Sequence, residues 1–269
     1  MRTALTIAGS DPSGGAGIQA DLKTFAALGV YGTSAVTAIT VQNTMGVLAV
    51  SPLAADLVSA QIEAIAGDIA LHATKVGMLA TAAIVEAVAA AIRELDLPLV
   101  VVDPVLMSTS GERLLDEDGV RALCAELLPR ARVVTPNVPE AAVLAGISIH
   151  SSDDIREAAR RIHGLGPGAV IVTGGHAPRA DAAGPGPDVV DLLFDGSAMY
   201  ECRTPRVVTR QTHGTGCTFA SAVAAALALG RALPDAARLA QHYVAGALAH
   251  GIALGRGRGP LDHFWQRPG

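Results

Sequence analysis

The sequence predicts an α/β protein: a doubly wound, mostly parallel central sheet with helices on both faces, in one domain spanning residues 1–269. Two observations carry this. Short apolar runs rich in β-branched residues recur along the whole chain, nearly unbroken by polar residues, as in strands buried on both faces of a parallel sheet. Between them lie segments whose apolar residues repeat at helical spacing. A chain of 269 residues is long enough to bury one large core around such a sheet.

In chain order, residues 4–8, 34–41, 73–76, 99–102, 133–135 and 169–172 are the predicted strands. Residues 17–28 place Ile18, Leu22 and Phe25 on one helical face and stop at Gly29, and residues 82–95 and 118–128 follow the same period. Ser151-Ser152-Asp153-Asp154 is a capping-box-like start for a helix over residues 155–165, with Gly164 and Gly166 at its end. Residues 178–188, rich in Pro, Gly and Ala, read as a mobile loop rather than a domain linker, since helices are expected to resume on both sides. No repeat of solenoid length is present.

Composition excludes several classes. Half the residues are hydrophobic and 17% are charged, which rules out disorder. The longest apolar stretch, residues 219–230, is filled with Ala and Gly and falls short of the ~20 residues of a bilayer-spanning helix. With 25 acidic and 20 basic residues, a net charge of −5 and no long Lys/Arg run, a nucleic-acid footprint is not expected. The N-terminal apolar stretch is too short for a signal peptide, so the expected location is the cytoplasm. Cys124, Cys202 and Cys217 form no CxxC pair and read as core residues or a nucleophile.

In a doubly wound sheet the ligands lie beyond the carboxyl ends of the strands. The polar residues found there are Gly9-Ser10-Asp11, Gln42-Asn43, Lys75, Asp103, Asn137 and Gly174-Gly175-His176. Residues 15–20 match the dinucleotide fingerprint GxGxxA, which raises an NAD-dependent dehydrogenase. No Asp or Glu between Asp21 and Asp56 is available for the ribose hydroxyls, which disfavours it, and the absence of GK[ST] excludes a Walker P-loop. A plain strand-to-helix turn is the other reading. In Thr212-His213-Gly214-Thr215-Gly216-Cys217, the two glycines let backbone N–H groups turn toward an anion at the start of an alanine-rich helix. A cysteine on a first helical turn has a depressed pKa, making Cys217 a candidate thiolate base; a small packed residue is the alternative. Asp103, Asn137 and Glu140 offer hard oxygen ligands suited to a Mg²⁺ that keeps most of its waters, whereas Glu140 also fits a simple first-turn helix residue.

The order of GSDPSGGAGIQADLKT (residues 9–24), VQNT (41–44), KVGML (75–79), TPNVPEA (135–141), GGH (174–176) and HGTGCTFASA (213–222) resembles the hydroxymethylpyrimidine/phosphomethylpyrimidine kinases of thiamine biosynthesis. The resemblance runs from Ala4 to Phe264 and implies a ribokinase-like three-layer α/β/α fold. It implies a kinase transferring phosphoryl groups from MgATP to an aminopyrimidine, first on the hydroxymethyl oxygen and then on the monophosphate. By that resemblance Cys217 is the base, and Gly214, Thr215 and Gly216 form the anion hole. Gln42, Asp21, Met78, Gly9 and the backbone at Val41 would hold the pyrimidine, and Asn137, Thr173 and Gly175 the ATP. Asp103 and Glu140 would order Mg²⁺ through water, and the molecule would be a homodimer. Two positions depart from the family: Thr173, where Lys is common, and Arg256, where His is usual, so that Arg256 or Arg258 becomes a candidate for the missing charge. Residues 107–115, with Ser110-Gly111, are the expected lid. A pyridoxal kinase of the same fold is the nearest alternative, with Gln42 and Met78 favouring the pyrimidine. From other classes, a non-enzymatic nucleotide-binding module stands beside the dehydrogenase, and His213 competes with Cys217 as base.

Overall fold

The computed structural model describes residues 1–108, 111–176 and 188–266. Six parallel strands form its centre: β1 (Thr3–Ser10), β2 (Tyr31–Asn43), β4 (Ala73–Val76), β5 (Val100–Val102), β6 (Val133–Val134) and β7 (Val170–Val172). Three antiparallel strands extend the edges, β3 (Gly46–Pro52) beside β2, then β8 (Asp188–Phe194) and β9 (Met199–Pro205) beyond β7. The order is β3-β2-β1-β4-β5-β6-β7-β8-β9. The chain winds one way from β1 to β2 and the other way from β4 onward, so the switch point lies between β1 and β4.

Strand side chains alternate between two cores. Leu5, Ile7, Val100, Val102 and Val134 face α2 (Ala55–Ala66), α3 (Ala82–Glu94), α4 (Glu117–Ala122), α5 (Val138–Ala145) and α6 (Ser152–His163). Ala4, Val101, Val133 and Ile171 face α1 (Gly17–Ala27), α7 (Thr215–Ala228) and α8 (Leu233–Ala249). This is the three-layer arrangement expected from the sequence. The apolar composition is concentrated in α7, buried from Thr218 to Ala228 and filled with alanine so that sheet and neighbouring helices approach it closely.

Local chemistry explains the element ends. The capping box at Ser151 forms with Asp154. The helix expected over residues 118–128 is α-helical only to Ala122; a π-helical turn and a 3₁₀ turn follow, because Pro129 has no N–H to continue the ladder. Met107 and Arg113 bridge in the expected lid, whose Thr109 and Ser110 lie outside the described residues, as do 178–187 of the expected loop. Among the described residues no helix is long and apolar enough to cross a membrane.

Candidate active site

The loops that follow the parallel strands surround a cavity of about 870 Å³ at the switch point. That volume lies at the upper end of the range for small-molecule and cofactor sites. Its wall includes Gly9, Gln42, Met78, Asp103, Asn137, Glu140, Thr173, Gly175, Gly214, Thr215, Gly216 and Cys217. The sequence thus brings together twelve of its fourteen expected site residues on one wall. Asp21 and Val41 are the exceptions.

The loop after β1 is organised by Asp11. Its buried carboxylate accepts from the Ser13 N–H at 2.8 Å, the Ala16 N–H at 2.8 Å and the Gly15 N–H at 3.2 Å, and faces His213 Nε2 at 2.8 Å. Burial would raise its pKa, but the hydrogen bonds from His213 and Ser13 hold it down to about 2. The glycines of this segment serve packing. A Cβ at Gly15 would lie 2.4 Å from His213, and one at Gly214, whose φ is +87°, would lie 1.8 Å from the Gly15 carbonyl oxygen. The dinucleotide-like fingerprint is therefore the surface against which the second Gly-rich loop rests.

That second loop starts α7. Gly216 is exposed, and a Cβ built there would lie 3.9 Å from both Asp103 carboxylate oxygens, so the buried carboxylate stands opposite the loop. The Cys217 thiol lies in the electrostatic reach of Asp103, Lys75 and the Gly17 backbone N–H. Here the sequence expectation of a depressed thiol pKa is corrected. Burial pushes Cys217 up to about 12; the charges of Asp103 and Asp21 add to the rise, and Lys75 and the Gly17 backbone N–H oppose it. Desolvation and two carboxylates outweigh the helix N-terminus.

Asp21 is the second correction. It is fully buried and does not line the cavity, because its oxygens are occupied: Thr6 donates at 2.6 Å, Ser221 at 2.6 Å and Lys75 at 2.9 Å. It is the counter-ion of an equally buried lysine and stands behind the cavity wall rather than on it. Burial would lower the Lys75 pKa, but Asp21, Cys217 and Asp103 lift it above the usual lysine range. Val41, expected to contribute its backbone, is not on the cavity wall either: the residue is 55% exposed and is paired in register with Ala49 of β3.

Asn137 caps α5 and exchanges bonds with Glu140: Asn137 Oδ1 accepts from the Glu140 N–H, and Glu140 Oε2 from the Asn137 N–H, both at 2.9 Å. Glu140 is thus a helix-start residue and a cavity carboxylate together. Burial raises it to about 8, with the Asp103 charge adding to the rise. Asp103 is itself raised to about 6 by burial against the opposing pull of Lys75. Thr173 and Gly175 are fixed by the Gly174 N–H, which donates to the buried Asp191 at 2.7 Å, and by Arg206, which donates to the Gly175 carbonyl at 3.2 Å. Arg258 of the tail reaches the cavity, as do Arg206 and Arg210, which sequence reasoning missed. The missing signal was β9: with that strand unread, nothing placed the segment after it at the site.

The fold and the site define an α/β enzyme that presents a glycine-flanked helix start, a buried carboxylate pair and an amide-bearing wall to one cavity. The family of phosphomethylpyrimidine kinases matches residues 11–262, and this chain belongs to it. The chain is 45% identical over 261 residues to the hydroxymethylpyrimidine/phosphomethylpyrimidine kinase of Bacillus subtilis, covering 97% of this chain and 94% of that one. Against the thiamine biosynthesis bifunctional protein ThiED of Geobacter sulfurreducens it is 45% identical over 260 residues, 97% of this chain but 52% of that protein. Among solved structures, the ADP complex of Bacillus subtilis pyridoxal kinase superposes with a TM-score of 0.88 at 39% identity, covering 98% of this chain and 97% of that one.

Proposed function

We infer that this chain is a kinase that transfers the γ-phosphoryl group of ATP to 4-amino-5-hydroxymethyl-2-methylpyrimidine and then to the resulting monophosphate, acting in the cytoplasm. The observation that carries the reading is the convergence of Gln42, the Gly214–Gly216 amides, Cys217, Asp103 and Glu140 on one cavity. Phosphoryl transfer passes through a loose transition state, so alignment and donors aimed at developing charge supply most of the rate. Gln42 offers a donor and an acceptor to a ring nitrogen beside an exocyclic amine. The loop amides at the start of α7 face the transferring group. Cys217 is the group placed to take the hydroxymethyl proton.

Mg²⁺ fits the donor set. Two buried carboxylates, one raised partly by the charge of the other, are what a cation sharing its shell with water and phosphate oxygens takes. When bound at Asp103 and Glu140, the ion would neutralise both the phosphate oxygens and the Asp103 charge that raises the Cys217 thiol. Ile39, Val41 and Leu48, exposed along β2 and β3, support the homodimer expectation.

The test is product analysis after incubation with MgATP and an equimolar mixture of the pyrimidine and pyridoxal. The pyrimidine monophosphate followed by the diphosphate is the expected result. Pyridoxal phosphate as the sole product would assign the site to the other substrate.

A further inference from the structure

His213 is buried beside Asp11, and its Nε2 atom has two neighbours: Asp11 Oδ2 at 2.8 Å and the side-chain amide of Gln42 at 3.2 Å. The other end of that amide lies 3.2 Å from Thr40 Oγ1, which also stands 3.0 Å from the Ser10 carbonyl oxygen. The four groups form a chain whose protons can be counted.

With Gln42 Nε2 directed at His213 and Oε1 at Thr40, two conflicts arise. The ring nitrogen would have to be bare to accept from the amide, leaving it against an acceptor-only carboxylate at 2.8 Å. The single Thr40 proton would have to serve both the amide oxygen and the Ser10 carbonyl. Asp11 cannot resolve the first conflict by protonating, because its carboxyl is held near 2. Turning the amide by 180° removes both at once. His213 Nε2–H then donates to Asp11 and to Gln42 Oε1, the Gln42 NH₂ donates to Thr40 Oγ1, and Thr40 donates to Ser10.

We propose that His213 is a positioning residue that fixes the direction of the Gln42 amide and thereby makes the cavity select an aminopyrimidine edge. This rests on the reading of Gln42 as the pyrimidine contact. The amide held this way has one N–H and one oxygen lone pair left, in a fixed order. A ligand with a ring-nitrogen acceptor next to an exocyclic amine satisfies both; a ring without that amine leaves the second lone pair of the oxygen unmatched. His213 takes no proton from substrate in this arrangement, since its Nε2–H is committed to Asp11.

Two measurements test the proposal. Steady-state kinetics of Gln42→Leu, His213→Leu, His213→Gln and the Gln42→Leu/His213→Leu double variant separate the roles. His213→Leu should raise KM for the pyrimidine by about 5- to 150-fold, the cost of one unmatched buried polar contact, while KM for ATP stays within about twofold. His213→Gln, whose terminal N–H can replace the imidazole N–H, should recover most of that affinity, and the double variant should be no worse than Gln42→Leu alone. Unchanged pyrimidine KM in His213→Leu, with a raised KM in Gln42→Leu, overturns the positioning role and leaves the Gln42 reading standing. Unchanged KM in Gln42→Leu instead removes the underlying reading. A loss of kcat in His213→Gln at constant KM makes His213 a proton carrier and overturns the proposal. Nitrogen-15 NMR of the unmutated, ligand-free protein needs no folded variant: a proton on His213 Nε2 is expected, and a bare Nε2 refutes the chain of bonds.

Discussion

Lys75→Met deletes a buried charge and keeps most of the side-chain stem. Lys75 and Asp21 are each fully buried and lie 2.9 Å apart, so the variant leaves a carboxylate in the core without its cation. Breaking a buried pair from one side costs about 3–5 kcal/mol. The lower end applies here, because Thr6 and Ser221 still donate to Asp21 at 2.6 Å each. At about 2–4 °C per kcal/mol for a chain approaching this size, Tm should fall by roughly 6–12 °C. Lys75→Met/Asp21→Asn should regain at least part of the loss, since neither buried charge remains. Turnover should fall as well, because Lys75 is the charge that opposes the rise of both Asp103 and Cys217. The assay is thermal unfolding by circular dichroism without ligands, beside pyrimidine turnover. A Tm loss below about 2 °C, or a double variant less stable than the single one, would refute the reasoning.

Ligand-free stability should fall as pH rises from about 5 to 8.5. Burial raises Glu140 to about 8 and Asp103 to about 6, so the folded chain binds more protons than the unfolded one across that window. Glu140→Gln should flatten the upper part of the slope, and Mg²⁺ should do the same by favouring the charged carboxylates; a Tm that climbs with pH there refutes the assignment. Cys217→Ala should lose roughly 10²- to 10⁴-fold in kcat while keeping ATP affinity, since the loop amides remain. Cys217→Asp, beside Asp103, should regain part of it, and full activity in a folded Cys217→Ala enzyme would remove the thiol from the reaction.

The central strands and both Gly-rich loops were legible because their signals are contiguous: a buried parallel strand is a run, and an anion-binding turn is a short string of glycines. The edge strands were not. Met199–Pro205 has one buried residue, Cys202, among exposed and half-buried ones, and β3 has none that is buried, so neither reads as a run. What failed in the site was partnership at a distance. Asp21 finds Lys75 across 54 positions, and Asp11 finds His213 across 202, and nothing in either residue type announces its partner. The thiol expectation failed for a related reason. The helix start is local and visible in the sequence, whereas the burial and the two carboxylates that overrule it are assembled by the fold.

The backbone contact between Gly15 and Gly214 joins segments made at opposite times during synthesis. The ribosome delivers β1 and its loop early, and residues 213–217 only after most of the sheet has been made. The loop after β1 therefore waits for its support, and the Ser221 hydroxyl reaches Asp21 equally late. Contacts of such long sequence separation form slowly and after local structure. Ligand binding should accordingly be the last property a nascent chain acquires, appearing only once the start of α7 has left the exit tunnel. Stalled chains of increasing length, assayed for nucleotide retention, would record that moment as a single step rather than a gradual rise.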